Sequence, residues 1–470
     1  MTTLSANLNL SDTKPGLDAG ITSDYHKYNA QNASYNGGSK MVIPISTGQA
    51  NQFLLGSESF LEFELDVACS ALTAGAQLRL DNSIYSCFGT IQVMHGGTVL
   101  SSMPYAGAIQ NFLLNMSTTD RRSASLTVGA SHDSSYDGAL LVVGNAAGNI
   151  STGPRKFCVP LAGVPLVGSG SGEKATPLAL LGSADLRVEI DLLPGNQVFT
   201  TGFSKGSAYD EDALGTNAEA LTITYSLKNI SYNAKVVNLA QDVMGKLMTA
   251  FQGQPVTIPS TAWYADRAYL QAEATGFSSK LAMQYSSLRA VYWWGACQDV
   301  VNGIPSATHK LGRANSQYAC GALTGTWLSI GGRSVPSDRN TGLAGTTFPY
   351  IAASCAFHGA SAYSSLLRCF NASTSVDMPA SIHPAMYNTS IGSIAAQRSC
   401  VGKFAFGFDL ERCDSTAGDS AYTGINTLSS PIDLHISYGS RVGTDPCTIT
   451  MVGQYDVTYI IQQGQVMPAI

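Results

Sequence analysis

Charge is the scarcest commodity in this chain. Asp, Glu, Lys and Arg together supply 12% of its 470 residues, against about 25% in an ordinary soluble domain. Such a deficit suits a membrane protein, a secreted protein, or a subunit that buries much of its surface against copies of itself. No apolar run approaches the roughly 18–20 residues that a bilayer span requires. The opening stretch, MTTLSANLNLSDTKPG, holds no apolar segment of the kind a secretory leader carries. A densely packed oligomer is the class these absences leave.

Basic clusters are also missing. The net charge is −6, and even the first 40 residues set Lys14, Lys27 and Lys40 against Asp12, Asp18 and Asp24. Gripping a phosphate backbone needs grouped Lys and Arg, so specific nucleic-acid binding is not expected. The ten cysteines (Cys69, Cys87, Cys158, Cys297, Cys320, Cys355, Cys369, Cys400, Cys413, Cys447) are scattered with no C-x-x-C pair. That spacing suggests neither a zinc site nor a redox motif, and free, mostly buried thiols of a reducing compartment are the reading adopted. None of His26, His95, His132, His309, His358, His383 or His435 lies in H-E-x-x-H or beside a cysteine pair, so no metal or cofactor is expected.

What the chain has in quantity is turn and strand material. There are 47 Gly and 21 Tyr, with abundant Ser, Thr, Ala and Asn, a composition of β segments joined by many turns. The length suits two or three domains at about 150–200 residues each. Residues 1–35 are polar and aperiodic and read as an extended arm outside the core. FLEFELDV then alternates, with Leu61, Phe63, Leu65 and Val67 opposite Glu62, Glu64 and Asp66, as a half-buried strand does. LRVEIDL repeats the pattern at Leu186, Val188, Ile190 and Leu192, and LTITYSLKNISYNAKVV predicts a strand pair near 221–237.

TIQVMHGGTVLSS predicts a hairpin turning at Gly96-Gly97, followed by an amphipathic helix carrying Ile109, Phe112, Leu113 and Met116. The same order recurs in the second half as WLSI, Gly331-Gly332, RSVP and GASAYSSLLRCF, with glycine pairs 235 residues apart (331 − 96). Between the halves, NLAQDVMGKLMTAF reads as a helix from Asn238 to Phe251 and QGQPVTIP as a linker. The predicted organisation is therefore an arm at 1–35, a first sandwich at 36–237, a helical linker at 238–255 and a second sandwich at 256–470, with strands at LQAEA, SSLRAVYWW and TGTWLSI. Trp263, Tyr264, Trp293, Trp294 and Trp327 are expected as core or interface anchors.

Several segments, in this order, resemble the major capsid proteins of polinton-like viruses, virophages and their double jelly-roll relatives. FLEFELDV with LDNSIYSCFGTIQVMHGGTVLSSMPYAGAIQNFLLNM is similar to the first barrel's strand, LD-x-x-x-x-S, GGTVL hairpin and helix. SIGGRSVPS resembles the second barrel's turn, with Arg333 and Ser334 replacing the usual Lys and aromatic; FAFGFDLERC and YTGINTLSSPIDLHISY resemble its closing strands, with Tyr422 and Thr423 replacing a Ser.

The resemblance implies an all-β chain of two tandem eight-stranded antiparallel jelly rolls with short helices. Three copies would form a pseudo-hexameric homotrimer, and such trimers would tile an icosahedral shell around a double-stranded DNA genome. Penton and minor capsid proteins are the implied partners, and the virion, assembled inside the host cell, the implied location. Connections 117–180 and 193–220 would supply outer turrets and contacts between neighbours. A carbohydrate-binding or carbohydrate-cleaving β-sandwich, suggested by the Tyr, Trp and Asn content, is the alternative; a spike or minor shell protein is disfavoured by the two-barrel length.

Catalytic signals are weak throughout, and no enzyme is expected. GSGSGEKAT fails the phosphate-loop spacing, since Glu173 separates Gly172 from Lys174 and Ala175 follows it, and reads as a mobile surface loop. Gly202-Phe203-Ser204-Lys205-Gly206 matches G-x-S-x-G but runs into a polar stretch where a nucleophile elbow needs a helix. Asp409 and Glu411 could pair for glycoside cleavage but read as a solvated or interface face. Sequons at Asn9, Asn32, Asn115, Asn149, Asn229, Asn371 and Asn388 are expected by chance in so Asn- and Ser-rich a chain. The helix around Lys246 lacks a basic face for a membrane surface and reads as a linker packed beneath both barrels.

Overall fold

The computed structural model describes residues 21–48, 51–69, 76–116, 140–143, 150–151, 153–172, 174–205, 208–210, 222–251, 254–271, 274–297, 323–336, 360–370, 404–411, 423–438 and 446–469. In the first half, alternation dictates a sandwich. β4 (Gln52–Cys69) turns Leu61, Phe63 and Leu65 inward, each 1% exposed or less. It lies in a sheet ordered β1 (Ile21–Asn29), β14 (Ile223–Leu239), β4 and β10 (Arg155–Pro160), with β2 (Ser34–Asn36) also on β14. The facing sheet runs β3 (Lys40–Ile45), β11 (Leu186–Leu192), β6 (Phe88–His95) and β7 (Thr98–Met103). Phe63 meets Phe88 across the gap at 6.4 Å between ring centroids.

The second half repeats this arrangement. One sheet is β15 (Val256–Leu270), β22 (Cys447–Gln462), β17 (Leu288–Cys297) and β20 (Phe406–Asp409), with β23 (Gln465–Ala469) on β22. The other is β16 (Gly276–Leu281), β21 (Ile432–Tyr438), β18 (Leu323–Ile330) and β19 (Arg333–Val335). Numbered 1 to 8 along each half, the sandwich strands read 1-8-3-6 and 2-7-4-5 in both. Every pairing is antiparallel, and this order is that of a jelly roll. The chain is thus a double jelly-roll, as the resemblance implied.

The glycine echo is structural as well. Gly96 and Gly97 hold φ of 57° and 86°, and Gly331 and Gly332 hold 55° and 84°, the doubly positive geometry of a two-residue hairpin whose twist matches its strands. A Cβ at Gly97 or Gly332 would meet nothing within 4 Å, so only backbone conformation demands glycine there. Gly332→Val is expected to destabilise by about 1–2 kcal/mol, and Gly332→Asn by clearly less. Urea midpoints of the two variants check this.

Among the described residues four short α-helices interrupt the strands: α1 (Ala106–Met116), α2 (Gly195–Val198), α3 (Gln241–Phe251) and α4 (Ala360–Arg368). A further sheet, β13 (Ala208–Asp210), β12 (Phe199–Lys205), β5 (Ala76–Leu80), β8 (Leu140–Val143) and β9 (Ile150–Ser151), gathers three connections of the first half side by side.

The structure moves several expected boundaries. Residues 21–29 do not belong to a free arm: they form β1, paired from Ile21↔Leu239 to Asn29↔Ser231. Most of its side chains face solvent, so the strand rests on its backbone ladder, and no apolar alternation announces it. The strand pair expected near 221–237 is the single strand β14, in which Asn229 at φ 52° marks a bulge between Lys228 and Ser231. The linker helix starts at Gln241 because Asn238 and Leu239 are still held in the ladder to β1. LQAEA contributes only Leu270, the end of β15. Within 117–180, residues 155–160 are a main-sheet strand and 161–171 are largely buried, so that part is not a turret.

Candidate functional site

The chain's most constructed region is the seam between its two sandwiches, where one continuous apolar core crosses from one to the other. It begins with the LD-x-x-x-x-S segment. Asn111 on α1 accepts from Asn82 Nδ2 at 3.0 Å and Ser83 Oγ at 2.5 Å, and donates through Nδ2 to Ser86 Oγ at 3.0 Å. Ser86 in turn donates to the Asp81 carbonyl. All these residues are buried, so each polar group needs its partner. The network pins α1 against the chain at Tyr85 and Phe88, whose carbonyls leave no space for a side chain at Gly107.

Thus held, α1 presents Phe112 to the second sandwich. The ring stacks on Trp294 at 4.9 Å and meets Tyr292 edge-on at 5.2 Å, with Phe370 at 5.9 Å. Trp263 also stacks on Tyr292, at 5.8 Å. Burial pushes the Tyr292 phenol well above its ordinary range, and the hydroxyl donates to the Cys369 carbonyl at 3.3 Å.

Residues 161–171 form the second part of the seam. GSGSGEKAT is no mobile surface loop over its first half, because Gly168, Gly170 and Ser171 are buried. Ser171 and Ser260 share a hydrogen bond of 2.7 Å between hydroxyls. A Cβ on Gly170 would lie 2.8 Å from the Thr261 carbonyl oxygen, and one on Gly163 would press on the Trp263 indole. Small residues are needed here because two sandwiches touch. Further along, Tyr459 donates to the Leu100 carbonyl at 3.4 Å, Arg267 lies 4.2 Å over the Tyr105 ring, and Gly182 N–H donates to the Gly464 carbonyl at 2.8 Å.

An ionic cluster braces the second sandwich beside this seam. Arg289 donates through Nε to Glu411 and lies 3.7 Å from Asp456. Ser287 Oγ donates to Asp456 at 2.6 Å, and Thr423 Oγ1 to Glu411 at 3.2 Å. The side chains of Arg289, Glu411 and Asp456 are 21%, 10% and 9% exposed, so Glu411, expected on a solvated or interface face, lies largely buried in a salt bridge. Asp409 is exposed, and its carboxylate accepts the Glu411 N–H at 3.0 Å. The two acids are committed to a salt bridge and a local turn, an arrangement that holds strands.

Other expected positions resolve plainly. Trp263, Trp293 and Trp294 are buried, Tyr264 and Trp327 half-buried; Trp293 donates to Thr326 Oγ1 at 3.1 Å, and Trp327 stacks on His435 at 5.1 Å. The aromatics that suggested a sugar platform lie mainly in the core and seam. Ser204 sits in β12 opposite Tyr209, in a hairpin. Asn115 is fully buried, while Asn32 and Asn229 are exposed; Asn9, Asn149, Asn371 and Asn388 lie outside the described residues. Cys87, Cys158 and Cys369 are free thiols, and burial raises the Cys69 thiol to about 11 and the Cys369 thiol well above its usual range. Lys246 is exposed on α3, which buries Met244. No helix among the described residues is long and apolar enough to cross a membrane.

One outward face of the first sandwich is different in kind. Across β1, β4 and β10 lies a polar groove of about 450 Å³ lined by Lys27, Glu62, Glu64, Lys156 and Asn229 among others. Glu62 bonds Lys156 Nζ at 2.5 Å and accepts from Asn233 at 2.9 Å. The Lys156 hydrogen bond, then that of Asn233, holds its carboxyl below the ordinary range.

No family model and no curated protein matches the sequence. Solved structures do. The Sputnik virophage structure aligns with TM-score 0.57 at 14% identity, over 100% of this chain and 93% of that one. The mavirus major capsid protein gives 0.54 at 9% over 100% and 93%, and the PBCV-1 virus capsid model 0.54 at 10% over 96% and 97%. Likeness at such identity is likeness of fold, end to end across both sandwiches.

Proposed function

We propose that this chain is a viral major capsid protein: a structural subunit whose homotrimers, six-lobed because each copy brings two sandwiches, tile an icosahedral shell around double-stranded DNA. The observation that carries this reading is the identical strand order of the two halves, 1-8-3-6 and 2-7-4-5 in each, joined by one core. Two like units per chain let a three-fold assembly imitate a six-fold one, and hexagonal tiles cover a surface. The seam supports it from the energetic side, since a tile must transmit force between its lobes without opening. In the same reading the division into lobes falls at the helical linker between β14 and β15, residues 240–255, neighbouring trimers and penton and minor capsid proteins are the partners, and no catalytic step is assigned.

Low charge fits as well, because an obligate interface buries on the order of 2,000 Å² or more of largely apolar surface. Purified protein is expected to weigh three times its monomer mass in mass photometry, and to keep that mass on dilution through the nanomolar range. A constant monomer mass would remove the reading.

A further inference from the structure

The first strand of the β6–β7 hairpin ends on His95, which continues the inward row of Ile91 and Val93. Only 6% of the residue is exposed, and its Nε2 is buried with no hydrogen-bond partner. A buried polar atom is ordinarily paired. An unpaired ring nitrogen is tolerable while the imidazole is neutral, because a proton there would place a charge where nothing solvates it.

The imidazole meets the Ala184 backbone as a hydrogen-bond partner. Ala184 belongs to a short segment tied on two sides. Thr47 Oγ1 donates to the Gly182 and Ala184 carbonyls, 2.7 Å from each, and Gly182 N–H donates to the Gly464 carbonyl of the second sandwich at 2.8 Å. A Cβ on Gly182 would lie 3.0 Å from that same oxygen, so the two backbones touch. His95 is therefore packed against the segment that closes this end of the seam.

Among the described residues no charge faces the ring. Arg187 and Glu189 alternate to the wet face of β11, and Asp185 is exposed. β7 and α1 carry no charged residue, and Lys40 stands at the far end of β3 with Glu189 and Asp191. On the facing sheet Glu58 is exposed and Lys235 lies over the Tyr25 ring. The turn from the second sandwich brings only the amides of Gln463 and Gln465.

We propose that His95 is an acid-sensitive catch on the seam: protonating its ring prises the Gly96-Gly97 hairpin off residues 182–184 and releases Gly182 from Gly464. Burial lowers the proton affinity of the closed form below that of an ordinary histidine, outweighing the opposite pull of the Ala184 backbone. A proton accordingly binds the opened form more tightly. The closed catch is intact above about pH 6.5, the ordinary midpoint of a histidine, and weakens progressively below it. In a shell, this loosens the two lobes of each subunit on exposure to acid.

Amide hydrogen exchange of the purified protein at about pH 7.5 and about pH 5, either side of the histidine midpoint and corrected for intrinsic exchange, reads the Gly182–Gly464 bond directly. Protection in peptides covering residues 181–184 is expected to fall about tenfold in the wild type, the factor that goes with a tenfold gap in proton affinity between open and closed forms. His95→Phe, which fills the site and takes no proton, is expected to keep its protection at both pH values. His95→Gln, neutral and polar, serves the same comparison should the Phe variant fail to fold. Unchanged wild-type protection at the lower pH, or an equal fall in the variant, overturns the inference. The exchange experiment requires no assembly, so the capsid reading stands or falls separately, on the trimer mass.

Discussion

Trp294→Ala is expected to cost about 3–5 kcal/mol of stability, the range for removing a buried aromatic where the site cannot collapse. The indole is 1% exposed and stacks on Phe112, itself fully buried. Its removal leaves a void between two sandwiches already pinned by the Asn111 network and the Ser171–Ser260 bond. Phe112→Ala is expected to cost a similar amount, and the double variant less than the sum, with a coupling of about 0.5–1.5 kcal/mol for the ring pair. Urea unfolding of the four proteins measures this cycle. Additive costs would mean that the two rings do not meet, and that the seam is looser than described.

The second large effect belongs to Arg289→Met. The substitution keeps much of the side chain's length and removes the cation that pairs with Glu411 and lies 3.7 Å from Asp456. Two largely buried carboxylates then lose this cation, and breaking one side of such a pair costs about 3–5 kcal/mol; the partial exposure of Arg289 places the expectation near the lower end. Adding Glu411→Gln should recover a substantial part of the loss, because a neutral amide can still accept from Thr423. Thermal melts of the single and double variants decide it. A double variant less stable than Arg289→Met would show that Glu411 matters for something other than its charge.

Much of the fold was legible in the sequence, for a physical reason that also marks where legibility ended. β4 and β11 have one wet face and one packed face, so Leu61, Phe63 and Leu65, or Val188 and Ile190, stand out by alternation. The paired glycines announced hairpins because only glycine rests comfortably at two successive positive φ angles. β1 was invisible because neither of its faces is well buried, and β15 because the other sandwich covers its second face, so that Ala262 and Trp263 are buried in succession. Alternation requires an inside and an outside, and a strand at a seam has two insides.

The seam itself was hidden for a related reason. GSGSGEKAT has the composition of a loop, yet its small residues at Gly168 and Gly170 serve close approach of backbones. Arg289 and Glu411, 122 residues apart, gave no local signal of their salt bridge. The charged character of Glu62 and Glu64 was plain from the start.

The central claim is that two like sandwiches, joined by one continuous core, make three copies into a six-sided tile. Class averages of the purified protein viewed by negative-stain electron microscopy test it most directly. A six-lobed ring with three-fold symmetry is the expected image. Isolated two-lobed particles in every class, at concentrations where the protein is fully folded, would contradict it.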